Sequence, residues 1–316
     1  MTTEPMLLYL GKVDSFCTDD NVDSSPSIPY FGYGLWRSPV LESTIRLDLE
    51  KFVLHSNDKP NSGTINRAIL KAFDQFKLQE RVKILHLIDV FERKDLDIWP
   101  MPSGLPWCDM GYKTKDAIRE DPDAIRRVRK FAHLLKNGEV ITFPDCIAHL
   151  RTHTSEVGQT ETRAVWYYPA TVTFIEAIFA IPLLERFKNL PEDLKPIAYG
   201  FETATGGIQK LRDRFKKPDI YYTQIYFKNF DQTVPAWLIS SSFYILMSNI
   251  NFCEYESYGI PDASKMHSLY MLIQKYFIET TIRTTEGLRF QKFSGLARGS
   301  YFTQLIGSVV NFILIN

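Results

Sequence analysis

The sequence predicts an α+β protein, and three observations carry that prediction. Segments with a helical apolar period and segments rich in β-branched and aromatic residues follow each other in no regular βαβ rhythm. The chain of 316 residues is 45% hydrophobic, 23% charged and 14% aromatic, which is the composition of a packed interior and excludes wholesale disorder. No internal repeat, low-complexity tract or obvious linker interrupts it, so the elements belong to one continuous α+β unit rather than to two independent ones.

Taken in order, residues 1–60 are turn-rich, with Asp19-Asp20-Asn21 and Ser24-Ser25-Pro26, and read as a wrapping arm. Over residues 64–92 the apolar positions Ile65, Ile69, Leu70, Phe73, Phe76, Val82, Ile84 and Leu85 predict a helix. A Pro/Gly loop covers residues 99–107. Residues 116–136 predict a second helix, with Asp121-Pro122 as its start or a break and Ile125, Val128, Phe131, Leu134 and Leu135 as its apolar stripe. A polar loop spans residues 153–160, a strand 163–168 and a helix 174–187. Residues 220–227 again look like a strand. Helices follow over 235–249, where a proline suits the first turn, and over 262–278. Two short strands are expected within 280–293, and a glycine loop over 294–300 opens a last helix.

Lys+Arg and Asp+Glu balance at 37 each, so there is no global basic field for nucleic acid and any basic channel is local. Cys17, Cys108, Cys146 and Cys253 form no C-x-x-C, and the polar start Met-Thr-Thr-Glu-Pro-Met is unlike a secretory leader, which together predict reduced thiols in a cytosolic protein. The apolar stretch 164–184 contains Pro169, Glu176 and Pro182, and 305–315 is shorter than the roughly 18 residues of a bilayer span, so no membrane helix is expected.

Three junctions between loops and elements could carry chemistry. Ser103-Gly104-Leu105-Pro106 precedes Gly111-Tyr112-Lys113-Thr114-Lys115. Arg151 and Arg163 flank the polar loop, and Arg163 opens the strand Arg-Ala-Val-Trp-Tyr-Tyr-Pro169; a guanidinium there could pair bidentately with phosphate. Finally, Asn229-Phe-Asp231-Gln-Thr-Val-Pro-Ala-Trp237 leads into a helix, and the glycine loop Ser294-Gly-Leu-Ala-Arg-Gly-Ser300 runs into another, whose amino end favours anions. In that last helix Thr303, Gly307 and Asn311 are four apart and share a face, while Leu305, Ile306, Val309, Val310 and Ile313 make the core side.

In order, these segments resemble the RNA-directed RNA polymerases of double-stranded RNA viruses, most closely the partitivirus type. Ser103-Gly104-Leu-Pro is similar to motif G at the template entrance, Arg163–Pro169 to the end of motif F, Asn229-Phe-Asp231 and its helix to motif A, and Ser294 to Asn311 to motif B. The resemblance implies a right-hand polymerase fragment: an arm at 1–60, fingers at 61–215, and a partial palm at 216–316 with the thumb missing. It implies Asp231, Ser300, Thr303 and Asn311 on the nucleotide and ribose side, and Arg163, Arg151, Ser103 and Gly104 toward triphosphate and template. It further implies an RNA template and nucleoside triphosphates as partners, an intact viral polymerase or capsid as a companion, a cytoplasmic, virion-associated location, and Mg²⁺ or Mn²⁺ as cofactor.

The departures concern catalysis. Polymerases of this kind use two metal ions held by carboxylates. The first motif A aspartate falls on Tyr226, a neutral phenol and a poor ligand for a hard cation. No Gly-Asp-Asp of motif C occurs, and the chain stops inside the motif B helix, so the resemblance implies a fragment that is inactive alone, with part of the 309–315 surface lacking its cover. Ala297 and Arg298 replace the usual Pro and Ser of motif B, and Glu161 stands where motif F has a lysine. Three readings follow: a viral RNA polymerase without activity of its own, a non-enzymatic, RNA-binding or interfering relic, or a bare structural relic with no role.

Overall fold

A helix that is buried almost all round, α6 (Ala170–Lys188), organises the molecule. In the computed structural model, residues 7–13, 35–37, 42–52, 58–152, 154–156, 162–191, 194–199, 206–216, 221 and 223–316 are described. Residues 170–183 of α6 are all buried, Glu176 among them. Pro182 sits inside the helix, and the Ile178 carbonyl that its missing N–H leaves free accepts instead from the Leu85 N–H at 3.0 Å. That bond ties α6 to β3 (Val82–Ile84), and α3 (Leu87–Glu92) follows after a His86 cap.

The 64–92 segment is therefore not one helix. α2 (Gly63–Gln75) ends at Phe76, and the apolar period beyond it belongs to β3, which pairs in parallel with β7 (Ile250–Tyr255). The 116–136 segment breaks at Asp121-Pro122 into α4 (Lys115–Arg119) and α5 (Pro122–Lys136), with Asp121 accepting from the Asp123 N–H and Pro122 in the first turn.

A five-stranded sheet has the order β1-β9-β8-β4-β6. Its strands are β1 (Leu7–Lys12), β9 (Leu288–Lys292), β8 (Thr281–Thr284), β4 (Cys146–Thr152) and β6 (Thr162–Tyr167). All pairs are antiparallel except β4 with β8. The arm expected at 1–60 is thus in part regular: β1 zips onto β9, β2 (Leu35–Arg37) pairs with β5 (Thr154–Glu156), and α1 (Glu42–Glu50) packs on β6 and β4. Asp19, Asp20, Asn21 and Ser24 to Pro29 lie outside the described residues, as do 153 and 157–161 of the polar loop.

α10 (Ala263–Ile278) and α11 (Phe302–Ile315) pack on α6, and α9 (Ala236–Met247) packs on both of them. Leu305, Ile306, Val309, Val310 and Ile313 are buried as expected, against α2, α6 and α9. Of the 309–315 surface expected to lack part of its cover, Val309, Val310 and Ile313 are buried, whereas Leu314 and Ile315 are half exposed and Asn311 is exposed. Among the described residues, the strand expected over 220–227 is not formed. Residues 221 and 223–227 are irregular, without a partner strand among the described residues, and a one-turn helix, α8 (Phe230–Thr233), follows. Between them and α6 lies α7 (Gly207–Phe215). Among the described residues no helix is long and apolar enough to cross a membrane, and Cys108, Cys146 and Cys253 form no disulfide with one another.

Candidate nucleotide and template cleft

The end of β6 is the meeting point of the predicted segments. Gly104, at φ +65°, leaves no room for a side chain: a Cβ there would stand 2.9 Å from the carbonyl oxygens of Tyr167 and Tyr168. Gly299, at φ +87°, approaches the same stretch: a Cβ there would stand 3.1 Å from the Trp166 carbonyl oxygen and the Tyr168 Cβ. The Ala170 N–H donates to the Ser103 carbonyl at 2.7 Å. The 103–106 turn, the end of β6 and the 294–300 loop thus dock on one another through backbone, which explains why small residues occupy these loops.

A cleft of about 900 Å³ opens where they meet, lined among others by Lys115, Tyr168, Gly299, Ser300, Thr303 and Gln304. Beneath it, Glu176 is wholly buried. Its carboxylate accepts from the Tyr168 hydroxyl at 2.7 Å, from the Ser300 hydroxyl at 2.8 Å to either oxygen, and from the Tyr301 N–H at 3.0 Å. Burial pushes this carboxyl up to about 7, against those hydrogen bonds and the charge of Lys115, which lower it. Lys115 donates to the carbonyls of Pro102 at 2.6 Å and Tyr168 at 3.3 Å, and burial brings its ammonium down to about 8.

The first half of the glycine loop binds the turn around α8. The Gly295 N–H donates to the Val234 carbonyl at 2.7 Å and the Leu296 N–H to the Asp231 carbonyl at 2.6 Å. A fully buried lysine, Lys292, fixes the start of the loop by donating to Phe277, Ile278 and Gly295 carbonyls at 2.5, 3.0 and 2.9 Å. Its ammonium, stripped of water, falls to about 7. Arg298 faces away from the cleft, and its Nε donates to Asp231 at 3.0 Å. Its Nη1 donates at 2.6 Å to both Asp48 and the Ala164 carbonyl.

The predicted site residues therefore separate. Ser300 and Thr303 line the cleft; Asp231 does not, being held by Arg298 on the α1 side. The expected single pocket of Asp231, Ser300 and Thr303 is corrected to a pair on the cleft and an ion pair behind the loop. Thr303 caps the loop, donating to the carbonyls of Ala297 at 2.5 Å and Ser300 at 2.8 Å. Asn311 is exposed, farther along α11, and does not line the cleft; Gly307 between them packs on Leu296 and Phe230. Ser103 is fully buried, its hydroxyl donating to the Tyr112 carbonyl at 2.5 Å, so it shapes the turn instead of facing template, as does Gly104. Arg151 and Arg163 occupy directly opposed positions in the β4–β6 ladder; their side chains and Glu161 lie outside what is described. The sequence reading missed Glu176, Lys292 and Asp48.

These residues do not fit a two-metal centre by themselves. Tyr226 offers a phenol on an irregular segment and is 83% exposed. Asp231 is paired with Arg298, and among the described residues no three His, Cys, Asp or Glu side chains stand together as cation ligands.

The family described as viral RNA-dependent RNA polymerase has a model that matches residues 100–316. A relative, the RNA-directed RNA polymerase of Cryptosporidium parvum virus 1 (strain KSU-1), is 29% identical over 172 residues, which are 53% of this chain and 29% of the relative. The matched stretch thus spans less than a third of that relative's length. Because the family match takes in more than half of the chain and holds all four of the segments that meet around β6 and the glycine loop, the chain belongs to the viral RNA-dependent RNA polymerase family.

Proposed function

We propose that this chain is the template- and nucleotide-handling part of an RNA-directed RNA polymerase of a double-stranded RNA virus, of the partitivirus type, and that it does not incorporate nucleotides alone. On this reading the described elements within 61–215 act as fingers, those within 216–316 as part of a palm, and 1–60 as an arm holding the two together. The observation that carries it is the closure of the Gly104 and Gly299 turns on one strand end, which builds a single cleft from three polymerase segments. RNA template and nucleoside triphosphates are its ligands, and Mg²⁺ or Mn²⁺ belongs to chemistry whose carboxylates this chain does not supply. A cytoplasmic, virion-associated location and contact with a whole polymerase or capsid follow from the same reading.

A second reading, a non-enzymatic RNA-binding relic that interferes with a live polymerase, is favoured by one observation: Arg298 occupies Asp231, the carboxylate that motif A retains. Both readings require RNA binding. The test is retention of single-stranded RNA by the purified chain across salt concentrations, with labelled nucleotide incorporation measured in parallel. Binding that falls steeply with salt and no incorporation are expected. Absence of RNA binding at low salt refutes both readings, and template-dependent synthesis refutes the claim of inactivity.

A further inference from the structure

While Glu176 is ionised, the one proton of the Ser300 hydroxyl has a fixed destination. Ser300 Oγ lies 2.8 Å from both oxygens of Glu176 and at the same time accepts from the Phe302 N–H at 3.0 Å. A serine hydroxyl has one donor and two acceptor sites. With the donor spent on Glu176 and one lone pair on Phe302, the side of Ser300 that borders the cleft has only a lone pair to offer. A ligand group placed there has to donate. A ribose hydroxyl can do so, and a phosphate oxygen cannot.

Glu176 reaches this position from α6, an element whose other side chains from 170 to 183 are apolar or threonine and all buried, so the carboxylate has no water to turn to. The groups that face it are few. Tyr168 at the end of β6 and the Tyr301 N–H donate to it. Lys115 of α4 acts on it through charge, while Tyr276 of α10 and Cys146 of β4 stand in the same buried region and carry no charge at neutral pH. Three donors from two separate elements thus converge on one carboxylate, and two of the three belong to the loop that follows Gly299.

We infer that Glu176 is a positioning residue that clamps residues 300–301 to α6 and sets Ser300 as a hydrogen-bond acceptor toward the cleft. The inference rests on the reading of the cleft as a nucleotide site for its ligand, and on geometry alone for the clamp. Protonation of Glu176 reverses the polarity, because a carboxylic acid donates one hydrogen bond and frees the Ser300 proton to turn toward the cleft.

The experiment uses the full chain and three variants, Glu176→Gln, Glu176→Asp and Ser300→Ala, with amide hydrogen exchange over residues 299–303 and binding of ATP against 2′-deoxy-ATP. In Glu176→Gln, protection of the Tyr301 amide is expected to fall about tenfold while α11 keeps its own, and a roughly tenfold preference for the ribonucleotide is expected to disappear. Ser300→Ala is expected to lose the preference and keep the Tyr301 protection, which a merely structural role for Glu176 does not predict. Glu176→Asp, shorter by one methylene, serves if the glutamine variant does not fold and is expected to show the same two losses. Unchanged protection and unchanged preference in a folded Glu176 variant overturn the inference. If neither nucleotide binds the unmodified chain, the reading of the cleft falls and with it the ligand half of this inference, while the exchange data still decide the clamp.

Discussion

Arg298 Nε lies 3.0 Å from Asp231, so the 294–300 glycine loop and the turn around α8 are joined by an ion pair. The same guanidinium reaches Asp48 at 2.6 Å, and the two arms differ in weight. Asp48 has 3% of its side chain exposed and Asp231 has 42%. A nearly buried carboxylate cannot fall back on water, so the Asp48 arm dominates. Arg298→Ala is expected to cost about 3 kcal/mol, because it leaves Asp48 with only Lys51, Gln232 and the Ala164 N–H. Asp231→Asn is expected to cost under about 1 kcal/mol. Urea denaturation of both variants checks the ranking, and an equal loss in the two contradicts it.

Two glycines at positive φ separate strain from crowding. Gly104 has two carbonyl oxygens 2.9 Å from where a Cβ would stand, whereas Gly111, at φ +91°, has nothing within 4 Å. Gly104→Ala is expected to destabilise by roughly 3 kcal/mol and to open the cleft, since Tyr167 and Tyr168 must shift. Gly111→Ala is expected to cost about 1 kcal/mol, the backbone term alone. Thermal melts of the pair measure the difference.

Buried ionisable groups set the pH profile. Glu176 is raised from an ordinary 4.5 to about 7, so the native state holds a proton that the unfolded chain has released. Its contribution is complete below pH 4.5 and is lost as pH rises to about 7, a change on the order of 3 kcal/mol. Lys292, lowered from 10.5 to about 7, acts in the opposite sense above that: the unfolded chain binds the proton that the native state lacks, and stability rises with pH from about 7 to 10.5. Lys115, at about 8, adds to the same rise. Denaturation across pH is expected to show that Glu176→Gln removes the fall below neutrality and Lys292→Met removes part of the rise above it. A wild-type-like slope in either variant contradicts the assignment.

Tyr226→Asp is expected to change stability by no more than about 0.5 kcal/mol, because the side chain is 83% exposed and its segment is irregular. It is also expected to leave nucleotide incorporation undetectable, since Asp231 stays paired with Arg298. An incorporation assay on the variant decides this.

Local signals were legible and distant partners were not. The break at Asp121-Pro122, the hairpin of β8 and β9 and the core face of α11 each follow from a cap, a turn or a period within a dozen residues. The 220–227 segment alternates aromatic and β-branched residues as a strand does, but a strand also needs a neighbour, and none pairs with it among the described residues. In 64–92 the apolar spacing continues through the turn after Phe76, so periodicity alone could not show that Val82 and Ile84 belong to a sheet. Within the cleft, Ser300 and Thr303 were found from the glycine loop. Glu176 read only as an interruption of an apolar stretch, although a lone carboxylate in such a helix must have partners. The Arg298–Asp48 contact joins positions 250 residues apart, beyond any local pattern.

The order β1-β9-β8-β4-β6 has a consequence for how the chain is made. β1, over residues 7–12, leaves the ribosome long before its ladder partner β9, which ends at Lys292. At about 5–20 residues per second, the first strand waits on the order of tens of seconds for its neighbour. Throughout that interval Leu8, Tyr9 and Leu10 are an apolar segment with open backbone groups, a natural client for a chaperone and a point where two nascent chains on one message can pair with each other first.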